Sequence, residues 1–233
     1  MNYTKNYTST SRMSDLVSKY YQTLPLLSRF GIPLGFGDKT IDSICRENGI
    51  ETNTFLSVIQ LLIAPDEFKN DKINTISITS LMSYLQNSHS YFLEYRLPKI
   101  REALANAIDK TQTELNEVVL TYFDDYIAEV KNHMDYEDKV VFPYVKRLLK
   151  GEYSIGYHIG IFTKQHDQVE TRLTEFKELI IRYYPTKGTN EVLSVLFDIF
   201  NCEADLYSHH LLEERLFTPA IKEIENSVNK RNE

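Results

Sequence analysis

Four long segments in the later two-thirds of the chain repeat apolar residues at intervals of three and four, and each interrupts its apolar stripe with a histidine. Over residues 77–110 the stripe is Leu81, Leu85, Phe92, Ile100 and Leu104. Over 113–150 it is Leu120, Phe123, Ile127, Val130 and Val141; over 157–184 it is Ile159, Phe162, Val169, Leu173, Phe176 and Ile180, close to a heptad seam. Over 190–227 it is Val195, Ile199, Cys202, Leu206 and Leu216. This spacing belongs to amphipathic helices and not to strands. Pro98 is expected to disturb one turn of the first helix, and Pro185 ends the third. Short connections between long helices favour antiparallel neighbours, so the expected fold is all-α: an up-down-up-down four-helix bundle over residues 77–228.

Ahead of the bundle, residues 1–70 read as a small helical N-terminal domain. Short helical pieces run from Ser14 to about Ile63, broken by the run FGIPLGFGDKT with its Gly31, Pro33, Gly35 and Gly37. Thr40 or Asp42 is expected to open the next helix, and Glu51 to Asn53 the one after. The polar stretch APDEFKNDKINT, residues 64–75, reads as a linker.

Composition narrows the chemistry. A formal charge of -7 gives no electrostatic reason to expect nucleic acid or anionic lipid as partner. No apolar run has the length of a secretory or membrane-spanning segment, so the expected location is the cytoplasm. Two cysteines, Cys45 and Cys202, are too few for a cysteine-based metal site, which leaves histidines and carboxylates.

Their placement is informative. His133 continues the stripe Phe123, Ile127, Val130, and Glu137 follows at the i,i+4 offset. His209 continues Ile199, Cys202, Leu206, and Glu213 follows at the same offset. His166 takes an apolar place between Phe162 and Val169, and His89 follows Leu81 and Leu85. Each helix thus turns an imidazole inward. A carboxylate in a core costs several kcal/mol unless it is paired or holds a cation, and no Lys or Arg lies on these stripes at that depth. Four imidazoles and two carboxylates therefore imply metal, and the repeated His-x-x-x-Glu implies two ions with Glu137 and Glu213 bridging. Open positions would remain for a small ligand such as dioxygen, nitric oxide or peroxide, with an oxo or hydroxo bridge as a further ligand. Manganese and zinc also suit this donor set.

Both repeats are followed by Pro at the same distance, in HMDYEDKVVFP from His133 to Pro143 and HHLLEERLFTP from His209 to Pro219. Here the chain resembles the hemerythrin-like HHE cation-binding family. With HSYFLEYRLP from His89 and KQHDQVE around His166, it looks closest to that family's iron-sulfur cluster repair di-iron branch. The resemblance covers about residues 77–222 and implies two non-haem iron ions on His89, His133, Glu137, His166, His209 and Glu213. It also implies a role with nitric oxide, oxygen or peroxide, in repair or protection of iron-sulfur centres under stress, with iron-sulfur proteins as partners. In one respect the chain departs. Repair members usually carry a Cys pair and Gly in the N-terminal turn, whereas GIPLGFGDKT has no Cys. That counts against a cysteine-dependent activity and adds weight to a second reading, a di-iron gas or redox sensor without turnover.

Several neighbours take plainer readings. His158 lies off the third seam by about 80° and reads as a surface residue. His210 and Glu214 form a competing i,i+4 pair, which the distance to Pro219 disfavours. Cys202 reads as core packing, Tyr126 and Tyr207 as bundle tyrosines, and Glu203 and Asp205 as a solvated face.

Overall fold

In a computed structural model the described residues are 7–69, 73, 75–152, 156–164, 167–185 and 190–232. All regular elements among them are helical; the sole β feature is an isolated bridge between Arg12 and Thr40. No described helix is long and apolar enough to cross a membrane.

The α-helices are α1 (Met13–Lys19), α2 (Leu24–Arg29), α3 (Ile41–Glu47), α4 (Thr52–Ile63), α5 (Ile78–Ser90), α6 (Leu97–Ala107), α7 (Thr113–Tyr136), α8 (Phe142–Leu148), α9 (Asp167–Tyr183), α10 (Asn190–Leu212) and α11 (Thr218–Asn232). Three pairs are joined without a break through short π-helical turns: α5 to α6 by Tyr91–Arg96, α7 to α8 by Glu137–Val141, and α10 to α11 by Glu213–Phe217.

Proline explains the position of these turns. Pro98, Pro143 and Pro219 each occupy the second residue of the helix that follows. A proline has no N–H, and its ring clashes with the carbonyl four residues back, so a regular α-turn fails there. The chain opens the turn instead. The amides of Leu97, Phe142 and Thr218, each just before the proline, bond the carbonyls of Phe92, Glu137 and Glu213 five residues back. The extra residue shifts the helix phase, and both Val141 and Phe142, and both Leu216 and Phe217, reach the core. A single 3.6-period stripe counts only one of each pair.

Two compact units divide the chain. One comprises residues 1–88, 148–153 and 211–233. In it the Gly-rich run breaks the helices as expected, with Gly31, Gly35 and Gly37 at positive φ. Thr40 caps α3 through the Ser43 amide, and the Glu51 carboxylate caps α4 through the amides of Asn53 and Thr54. Phe30 packs at a tilt against Phe55 and Tyr84, while the Asn87 amide group donates to the Arg29 carbonyl at 2.7 Å. Cys45 is fully buried here, and burial, the largest influence, pushes its thiol up to about 12. An alkylating reagent at about pH 8 is therefore expected to leave Cys45 unmodified in the folded protein and to label it once denatured. Peptide mass mapping of native and denatured samples checks this.

The other unit comprises residues 89–147 and 154–210. Its core joins Phe92, Ile100 and Leu104 with Phe123, Tyr126 and Val130, with Leu173, Phe176 and Ile180, and with Val195, Ile199, Cys202 and Leu206. These are largely the stripes read from the sequence, with Leu120 and Ile127 only partly buried at the margin. The third segment differs at its start. Ile159–Lys164 is a 3-10 turn and the described α-helix is Asp167–Tyr183; Gly156 and Gly160 sit where a regular helix would have to begin, and glycine is a poor helix former.

Candidate metal centre

The candidate ligands sit in the helix ends just before the π-helical turns and at the first residues of two of those turns. His89 lies one residue before the end of α5, His133 in the last turn of α7, and His209 in the last turn of α10. Glu137 and Glu213 are the first residues of the two turns after α7 and α10. The i,i+4 geometry upstream of each turn keeps His and Glu on one face. The widened turn then absorbs the proline downstream without disturbing that pairing.

His89, Glu137 and His209 are buried at 2%, 0% and 3% exposure, and Glu213, one turn beyond His209 in the same uninterrupted helical run, at 0%. One ligand atom from each of His89, Glu137 and His209 lies within 4.8 Å of the others. The two oxygens of Glu137 face different imidazoles: Oε1 is 2.8 Å from Nε2 of His133, and Oε2 is 3.1 Å from Nε2 of His89. His133 is slightly more open, at 14% of its side chain. His166, the remaining expected ligand, lies outside the described residues. Of the competing groups, His158 and Glu214 are exposed and His210 is half-buried.

Apolar rings wall the group. Phe142 stacks on His89 with centroids 5.7 Å apart, and Phe92 meets His209 edge-on at 6.1 Å. The imidazoles of His89 and His209 approach edge to face at 5.2 Å.

Asp138 is a member of the site that the stripe argument missed. Its Oδ2 lies 3.2 Å from Nδ1 of His89, on the opposite side of the ring from Glu137. A carboxylate behind an imidazole fixes ring orientation and leaves the far nitrogen to a metal. The available signal was its place directly after Glu137, about 100° round the helix and so turned toward a neighbouring element. Burial by itself would lower the His89 pKa, but Asp138 and Glu137 outweigh it and push the imidazole up to about 10. Without a cation, His89 carries a proton at neutral pH; a metal ion would take that proton's place.

The donor set fits a metal. Glu137 is fully buried, and neither of its oxygens has hydrogen-bond geometry to a partner, although both lie at ion-pair distance from imidazoles. The same holds for both nitrogens of His89. Atoms that approach one another without bonding, in a wall of aromatic rings, point at a shared cation.

A family model described as the hemerythrin HHE cation binding domain matches residues 81–221. The chain belongs to this family. The match spans the three π-helical turns and all the residues of the buried His and Glu group. No curated protein and no solved structure gives a significant match to the chain. The centre of this hemerythrin-family chain is thus a buried His and Glu group suited to binding metal.

Proposed function

We propose that the chain is a non-haem di-iron protein whose two ions are held by His89, His133, Glu137, His166, His209 and Glu213, with both glutamates bridging. The observation that carries this reading is Glu137, a fully buried carboxylate whose two oxygens face imidazoles from two different helices. A single ion needs only one such oxygen; a carboxylate spread across two imidazoles suits two ions. Iron agrees with the mixture of imidazole and carboxylate donors. The ligand-bearing helices belong, on this reading, to an up-down-up-down four-helix bundle over residues 77–228, preceded by a small helical N-terminal domain over residues 1–70.

Bound iron would supply binding and redox chemistry for a diatomic gas or peroxide. The chain's own residues would shape that chemistry. Asp138 orients His89, Phe92 and Phe142 exclude water, and His133, the more open imidazole, stands on the side from which a small ligand approaches. We assign the physiological role to handling nitric oxide, oxygen or peroxide in the cytoplasm, in repair or protection of iron-sulfur centres under nitrosative or oxidative stress. A sensor without turnover is the second reading, favoured by the Cys-free GIPLGFGDKT turn.

Metal analysis with optical spectra tests the proposal. Protein from iron-replete cells is expected to hold close to two irons per chain and to show near-ultraviolet charge-transfer bands that change on exposure to nitric oxide and to air. Zinc alone under those conditions overturns the iron assignment. For the sensor, ligand binding should change hydrogen exchange in residues 1–70 or the affinity for a partner; if neither changes, the sensor reading loses its basis.

A further inference from the structure

Helix α10 is apolar on two faces. Val192, Val195, Ile199, Cys202, Leu206 and His209 are buried and form its inner seam. A second series, Leu193, Phe197, Phe200, Ala204 and Tyr207, repeats at intervals of four, three, four and three, centred about 150° away at ~100° per residue. These residues face solvent: Leu193 is 56% exposed, Phe197 69%, Phe200 43% and Tyr207 52%. Function at the buried centre gives no reason for this outer stripe. A helix with solvent on one side ordinarily carries polar residues there.

We propose that this stripe is the contact surface for a second copy of the same chain, α10 against α10 in antiparallel alignment about a two-fold axis. The inference is independent of the metal reading. Intervals of three and four are those of helices that interlock side chains with a like helix. Packing sizes select the antiparallel sense. Pairing the two heptad positions of one helix with the opposite positions of the other sets Phe200 against Ala204 of the second copy, large against small, and Phe197 against Tyr207 of the second copy. A parallel pair would crowd Phe197 on Phe197 and leave a gap between the two Ala204 residues.

Charge agrees. The stripe has no group that is charged at neutral pH, and the carboxylate on its flank, Glu203, is already engaged within the chain. Glu203 pairs with Lys177 and accepts from Thr174 at 2.8 Å. The ammonium of Lys177 also lies 4.3 Å from the Phe200 ring centroid and keeps a cation beside the seam. A symmetric pair therefore buries no unmatched charge from these groups. The area is modest. With the usual size of aromatic side chains, the stripe and its rim offer about 1,000 Å² for the pair, the lower bound for a specific interface, which gives a reversible dimer. Because each copy carries a net charge of -7, added salt should strengthen the association by screening their repulsion.

Sedimentation velocity on the full-length, metal-loaded protein over a wide concentration range tests this. The native chain is expected to shift from one to two copies as concentration rises, more readily at higher salt. Phe197→Glu and, separately, Leu193→Glu should weaken the dimer at least about tenfold. Val118→Glu adds the same charge at a residue 55% exposed on α7 and should leave the dimer in place. Circular dichroism confirms that each variant is folded; Phe197 is exposed enough that its loss should not unfold the chain. A chain that stays single at the highest concentrations overturns the proposal and leaves the stripe to a different protein's helix. So does a dimer that withstands Phe197→Glu, or one that salt dissociates.

Discussion

His133→Ala combined with His209→Ala is expected to remove bound iron and its near-ultraviolet bands together, and to lower the melting temperature to that of chelator-treated native protein. The size of the fall follows from linkage. A ligand held at about a thousand times its dissociation constant stabilises the folded state by about 4 kcal/mol, and a chain of this size loses ~2–4 °C for each kcal/mol. A drop of about 10 °C is the expectation, read by calorimetry with metal analysis on the same samples. Glu137→Leu tests the metal and the buried pair together. Removing the carboxylate leaves the buried, proton-bearing His89 with Asp138 as its remaining carboxylate, which costs about 3–5 kcal/mol. The metal-free variant should therefore melt below metal-free native protein, and its response to iron disappears. If chelation leaves the native melting temperature unchanged, the buried group owes its survival to something other than a cation.

Phe123→Ala is expected to cost about 3–5 kcal/mol. Phe123 is 1% exposed, and its ring packs against Tyr126 at 6.0 Å and Phe176 at 5.2 Å between centroids. Its truncation leaves a cavity that rings on α7 and α9 cannot close. Denaturant unfolding measures the loss. If the interior is as tightly packed as the burial indicates, Ile127→Ala, at the partly buried margin of the same helix, should cost clearly less. Equal losses at the two positions would mean that the core is loose.

The helical class, most of each buried stripe and the burial of His89, Glu137, His209 and Glu213 were legible because apolar periodicity and desolvation cost act locally. His209 against His210 is an example: continuing the series through Cys202 selects His209, and the structure buries His209 and leaves His210 at the margin. The two helix starts were legible to within a residue or two, as Thr40 or Asp42 and as Glu51 to Asn53; which residue caps, Thr40 and Glu51, is read from the structure. Asp138 was not, since its role depends on which neighbouring helix it meets, and that is a tertiary fact. Nor were the paired burials of Val141 with Phe142 and of Leu216 with Phe217. A fixed 3.6-residue period cannot anticipate a turn that takes one residue more. The prolines signalled a disturbance, but their lost hydrogen bond does not say whether a helix will kink, stop or widen.

Each widened turn also inserts one extra residue into a continuous helical run. Upstream of it, the angular position of a helix is set by the imidazole it buries; downstream, by which apolar side chains must be covered. One residue of slack lets the two demands be met separately, so sequence drift in Phe142–Leu148 or Thr218–Asn232 need not rotate Glu137 or Glu213 off target.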